Sequence, residues 1–74
     1  MINENNVIKL SDNNEYLVVS KVNYENNIYL YLVNINNINV KFVELNYNQV
    51  IEVTDNDILD ELLKLIVLEE RLKN

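Results

Sequence analysis

No glycine and no proline occur among the 74 residues. Tight turns usually use one or the other, glycine for positive φ and proline for a pre-set bend. Here that work falls to Asn and Asp, the other residues that visit the left-handed region readily. Asn pairs therefore read as punctuation. Asn26-Asn27 and Asn36-Asn37 separate runs rich in Val, Ile, Leu, Tyr and Phe, which is strand composition.

The stretch from Tyr16 to Ile35 is the centre of the chain and reads as a β-hairpin. A two-residue type I′ turn at Asn26-Asn27 pairs Glu25 with Ile28, Tyr24 with Tyr29, Val22 with Tyr31, Ser20 with Val33 and Val18 with Ile35. Alternation places these residues on one face, aromatic and β-branched. The other face is aliphatic and carries Leu17, Val19, Lys21 and Asn23 opposite Leu30, Leu32 and Asn34. The run Ile28 to Val33 is apolar on both sides, as a central strand should be.

A second turn at Asn36-Asn37 extends the pattern. It pairs Ile35 with Ile38, Val33 with Val40, Tyr31 with Phe42 and Tyr29 with Glu44. Any even loop length keeps these residues on the aromatic face. Val43 and Leu45 join the aliphatic face, and Lys41 lies near Lys21 across Leu32. Two hairpins chosen independently agree on the faces, which supports a meander.

The flanks are simpler. Residues 1–6 read as frayed, 7–10 as a short strand, 11–14 as a turn, 46–49 as a turn or bulge and 50–53 as a short last strand. Thr54 suits a helix N-cap, with Asp55 and Asp57 in the first turn and Arg71 and Lys73 in the last, matching the helix dipole. A helix over 55–73 would be about 28 Å long. Its apolar residues sweep more than half the circumference, from Leu72, Leu65 and Ile58 through Leu62 to Leu63 and Val67, with Leu68 intruding on the polar side. One sheet needs a stripe of only about 100° or somewhat more.

The expected fold is α+β: a four- to five-stranded antiparallel β-meander with one C-terminal helix packed on a sheet face. Residues 1–74 form a single domain, near the lower size limit for independent folding. Without Cys no disulfide can staple it, so oligomerisation is the remaining route to stability. A net charge of −6 disfavours direct contact with nucleic acid or anionic membranes. The start MINENNVIKL has neither a basic region nor a long apolar core, so a cytoplasmic location is expected. The apolar stretch 58–68 is broken by Asp60, Glu61 and Lys64 and is too short to span a bilayer.

The chemistry is bounded by what is missing. With no His and no Cys, nucleophilic catalysis by Ser-His or Cys-His is excluded. Of the two serines, Ser20 has its Lys21 neighbour on the opposite strand face. Without Gly there is no phosphate-binding loop or dinucleotide fingerprint, and no catalytic residue and no cofactor is expected. Glu52, Asp55, Asp57, Asp60 and Glu61 form an acidic patch. Asp55-Asn56-Asp57 is similar to the start of a calcium loop but lacks its Gly and closing Glu. The patch reads as a solvated helix start, with no metal site. Tyr16, Tyr24, Tyr29, Tyr31 and Phe42 could stack bases, but such platforms lie in basic grooves, so core or interface is expected.

Tyr16-Leu17-Val18-Val19, Tyr29-Leu30-Tyr31-Leu32-Val33, Val40-Lys41-Phe42-Val43-Glu44 and Glu52-Val53 before an acidic helix carry a resemblance. Over residues 7–65 the chain resembles short β-meander-plus-helix proteins, domains of unknown function, from low-GC Gram-positive bacteria and their phages and mobile elements. Those commonly have Gly in the hairpin turn, where this chain has Asn26-Asn27. The resemblance implies a meander with a C-terminal helix and brings no catalytic residues.

The expected function is a small non-enzymatic protein-interaction module, self-associating as a homodimer, with a regulatory role open to it. The expected interface is the helix flank of Leu65, Leu68 and Leu72, or the uncovered sheet face with Leu30 and Leu32. A protein partner with a basic or apolar surface is the other option. The alternative is an acidic phage or mobile-element inhibitor that binds a nucleic-acid enzyme as a DNA mimic.

Overall fold

The computed structural model describes residues 2–72. Five strands form one antiparallel sheet in sequence order, β1 (Val7–Lys9), β2 (Glu15–Tyr24), β3 (Asn27–Asn34), β4 (Val40–Asn46) and β5 (Gln49–Glu52). One helix, α1 (Asn56–Leu72), follows. The α+β meander expected from the sequence is therefore the architecture.

The β3–β4 register is as expected, with Val33 opposite Val40, Tyr31 opposite Phe42 and Tyr29 opposite Glu44. The loop between them is longer than two residues but still even. Asn34 N–H donates to the Asn39 carbonyl at 2.8 Å, enclosing 35–38, and the buried Asn34 side chain accepts from Asn36 N–H at 2.8 Å. Tyr31 and Phe42 stack with ring centroids 5.0 Å apart.

The β2–β3 register differs from the expectation. The turn is Glu25-Asn26, with φ of 48° and 67°, so Tyr24 faces Asn27 and Val22 faces Tyr29. Positive φ at both central residues is the type I′ signature, one residue earlier than the Asn pair suggests. Packing decides: this register sets Val22 beside Tyr29 under Leu62 in one buried cluster, and a non-glycine residue in the left-handed region costs only about 1–2 kcal/mol.

A β-bulge at Val19 makes the second difference. Val18 pairs with Leu32 while Ser20 pairs with Tyr31, so the strand changes faces between them. Val18 therefore lies on the aliphatic face and not opposite Ile35. Leu17, opposite Val33, moves to the aromatic side.

The sheet curls, and each side has its own core. On the concave, aliphatic side Tyr16, Val18, Leu30, Leu32 and Val43 are buried, packed by Ile2, Ile8, Leu10 and Leu45. On the convex, aromatic side Val22, Tyr29, Phe42 and Leu62 are buried, packed by Tyr24, Tyr31, Val53, Ile58, Leu59, Leu65 and Ile66. The helix covers the aromatic face. Residues 2–6 are not frayed: Asn5 N–H donates to Val18 C=O and Val18 N–H to Asn6 C=O, both at 2.8 Å, and Ile2 packs on the concave core.

Asp55, not Thr54, caps α1. Its Oδ1 accepts from Asp57 N–H at 2.9 Å and Ile58 N–H at 3.3 Å, satisfying two free helix donors. Arg71 lies in the last turn; Lys73 falls outside the described residues.

Candidate interaction surface

The helix sets out the surface. At 100° per residue Leu62 points straight at the sheet, flanked by Ile58, Leu59, Leu65 and Ile66. The remaining apolar residues have nothing to pack on. Leu63 and Val67 lie on one shoulder, while Leu68 and Leu72 lie on the other, 54% and 79% exposed. Lys64 and Arg71 stand between the shoulders, bordering an open depression with Leu63, Val67 and Leu68.

The two shoulders face different parts of the sheet. Leu59 and Leu63 share a groove with Val40, Phe42 and Val53 of the β4–β5 side. Ile58 and Glu61 lie beside Tyr24 at the end of β2, and Leu65, Leu68 and Leu72 continue along that same side. Ser20 anchors the helix there, its buried hydroxyl donating to Glu69 Oε2 at 3.1 Å.

Of the expected interface, Leu65 is half-buried against the sheet, and Leu68 and Leu72 remain open. Leu30 and Leu32 cannot contribute. Both are 0% exposed, because the curl, Tyr16, Val18 and the N-terminal segment close the aliphatic face within one chain. The exposed apolar positions of the sheet include Val7, Val40 and Ile51 on its convex face and Val50 at the rim of the concave one.

The acidic patch is dispersed. Glu52 points to the concave side and pairs with Lys41 at 3.1 Å, and Asp55 is held as the helix cap. Asp57, Asp60 and Glu61 remain together beside Tyr24 and Lys64, with Glu61 bonded to Lys64 at 3.3 Å. Burial, with Glu25 and Glu61 nearby, pushes the Tyr24 hydroxyl above its ordinary value. Among the described residues no group of three or more carboxylates could hold a metal ion.

Sequence reasoning missed a charged tie at the mouth of the concave core. Lys41 Nζ sits 3.1 Å from both Asp12 Oδ2 and Glu52 Oε1, and 5.5 Å from the Tyr16 ring centroid. The Tyr16 hydroxyl donates to Asp12 Oδ2 at 2.7 Å. Glu52 and Asp12 raise the Lys41 ammonium above its ordinary value. The Asn14 backbone N–H, then Tyr16 and Lys41, hold the Asp12 carboxyl well below the usual carboxylate range. Both shifts favour the charged forms. The tie joins the β1–β2 turn to β4 and β5, closing a curl that has no β1–β5 backbone ladder. Its members lie 11 and 29 residues apart, so no spacing could reveal it.

No helix among the described residues is long and apolar enough to cross a membrane. No family model, curated protein or solved structure matches this chain.

Proposed function

We propose that this chain is a small protein-interaction module that self-associates as a two-fold homodimer through the Leu65–Leu68–Leu72 flank of α1, and is not an enzyme. The supporting observation is where the apolar surplus lies. The concave core is complete within one chain, whereas Leu68 and Leu72 stand open on a helix whose sheet-facing side is already filled. Closed two-fold pairing is the commonest way to cover such a surface.

Magnitudes show what the flank can supply. A fully buried Leu gains about 1.5–3 kcal/mol, so two open leucines from each copy give at most roughly 6–12 kcal/mol. Association costs an estimated 4–15 kcal/mol or more. The flank alone therefore supports weak pairing at best, and a stable dimer needs further contacts.

Light scattering tests the reading. The weight-average mass should rise towards two copies between about 1 and 100 µM, the range in which a micromolar Kd is half-saturated. Leu68→Lys should return it to one copy. A parent protein that stays monomeric and in solution throughout would contradict the proposal. The acidic-inhibitor alternative would use Asp57, Asp60 and Glu61, which remain exposed or partly exposed. Steep loss of partner binding with added salt would favour it, because an apolar interface is not screened.

A further inference from the structure

We infer that the two copies join their sheets edge to edge through the distal half of β2, so that one continuous sheet runs through the dimer with the α1 helices side by side above it. The inference rests on the self-association reading and names the contacts that the leucine flank lacks.

β2 is much longer than its outer neighbour. β1 covers Glu15 to Leu17, and Asn5 and Asn6 extend the pairing to Val18. Beyond the Val19 bulge no strand among the described residues lies on that side of β2. The hairpin geometry fixes which groups face the gap. Tyr24 and Asn27 close a two-residue turn and exchange both ladder bonds, so Val22 and Ser20 also bond inward to β3. Lys21 and Asn23 must then turn their N–H and C=O groups outward. Unpaired edge groups are a template for another strand, and Lys21 is the only charge between Tyr16 and Tyr24.

The helix selects this edge over the one at β5. Of all the strands, α1 lies nearest β2. Leu65 and Leu68 lie on the side of the helix that overhangs it, while Leu72, beyond the Ser20–Glu69 bond, lies towards the half that β1 closes. A second copy approaching β2 therefore meets main-chain groups and apolar side chains together. The strand pairing closes on a two-fold axis. An antiparallel pairing with Val22 opposite Val22 of the second copy sets Lys21 opposite Asn23, and both have outward groups. Adjacent strands lie about 4.8 Å apart. Because α1 lies nearest β2, the two helices then run side by side across the dyad.

Proline substitution separates the edges. Proline removes an N–H and is tolerated where that group faces away from the ladder. Asn23→Pro should leave the far-ultraviolet spectrum of the fold intact and abolish the dimer. Val50→Pro, at the equivalent outward position of β5, should leave the dimer in place. The double variant Lys21→Cys/Asn23→Cys, which does not rely on proline being accommodated, should give an intermolecular disulfide on a non-reducing gel, since such paired positions lie about 5.5 Å apart. A dimer that survives Asn23→Pro, is lost only with Val50→Pro, or yields no cross-link would overturn the edge pairing while self-association stands. A parent protein monomeric at every concentration would remove both.

Discussion

The two halves of β2 make the most instructive contrast in the molecule. Tyr16 and Val18 are buried in the concave core, whereas Ser20 and Val22 are buried under the helix. All four have the same parity in sequence. The single bulged residue, Val19, sends them to opposite faces. The proximal half is closed on its outer side by β1 and residues 5–6, and the distal half is open. A strand that looks uniform thus does two jobs, completing one core and offering an edge.

The largest expected effect comes from emptying one core at a time. Leu32→Ala and Leu62→Ala each remove a fully buried leucine and should cost about 2–5 kcal/mol. They should differ in how unfolding proceeds. Leu32→Ala weakens the body of the sheet, so helix ellipticity and tyrosine burial should be lost together in urea. Leu62→Ala weakens only the attachment of α1, so ellipticity should fall at lower urea than the signal of Tyr16. Coincident transitions in Leu62→Ala would mean that the two cores are one cooperative unit.

Smaller effects are expected at the turns. Glu25→Asn and Ile38→Asn should each stabilise by up to about 1 kcal/mol, because Glu25 and the exposed Ile38 hold φ of 48° and 57° where Asn is better tolerated. Asn27→Gly should instead destabilise by about 0.5–1 kcal/mol, since Asn27 belongs to β3 and Gly weakens strands. Thermal melts of the three variants decide the matter. Stabilisation by Asn27→Gly would restore the later turn.

The charged tie should give the smallest effect, because its members are partly exposed and screened. Asp12 has a depressed pKa when folded. Its contribution is therefore complete above the ordinary carboxylate value of about 4 and is lost as pH falls through the depressed value. Lys41 is raised, so its contribution holds below its ordinary value and fades only as the pH rises beyond it. Asp12→Asn should melt slightly below the parent at pH 6, and the gap should close as the pH drops from about 4 towards 2. A gap that widens in acid would contradict the assignment.

Much of this was legible in the residues. The β3–β4 faces followed from alternation, because an even loop of any length preserves them, the register followed from centring that loop on Asn36-Asn37, and the helix with its apolar excess followed from its period. The β2–β3 register did not, because local turn preference favoured Asn26-Asn27 while packing of Val22 against Tyr29 under Leu62 favoured Glu25-Asn26. The bulge left no mark either, since Ser20 and Lys21 read as regular alternation, one on the aromatic face and one on the aliphatic. One helix can cover only one of two apolar faces, which is why Leu30 and Leu32 were expected at an interface; the curl and the N-terminal segment that close the aliphatic face had no signal in the residues. The surplus that Leu68 and Leu72 represent was visible from the helical wheel.

Residue-resolved amide exchange along β2, at concentrations below and above the association range, tests the account most directly. The amide of Val18 should be equally protected at both, because it donates to the Asn6 carbonyl within one chain. Lys21 and Asn23 should exchange freely in dilute solution and slow by roughly ten-fold or more when concentrated, as an open edge becomes a paired one. Protection at Lys21 and Asn23 that is already high in the monomer, or that never changes with concentration, would contradict the division of β2 into a closed half and an open one.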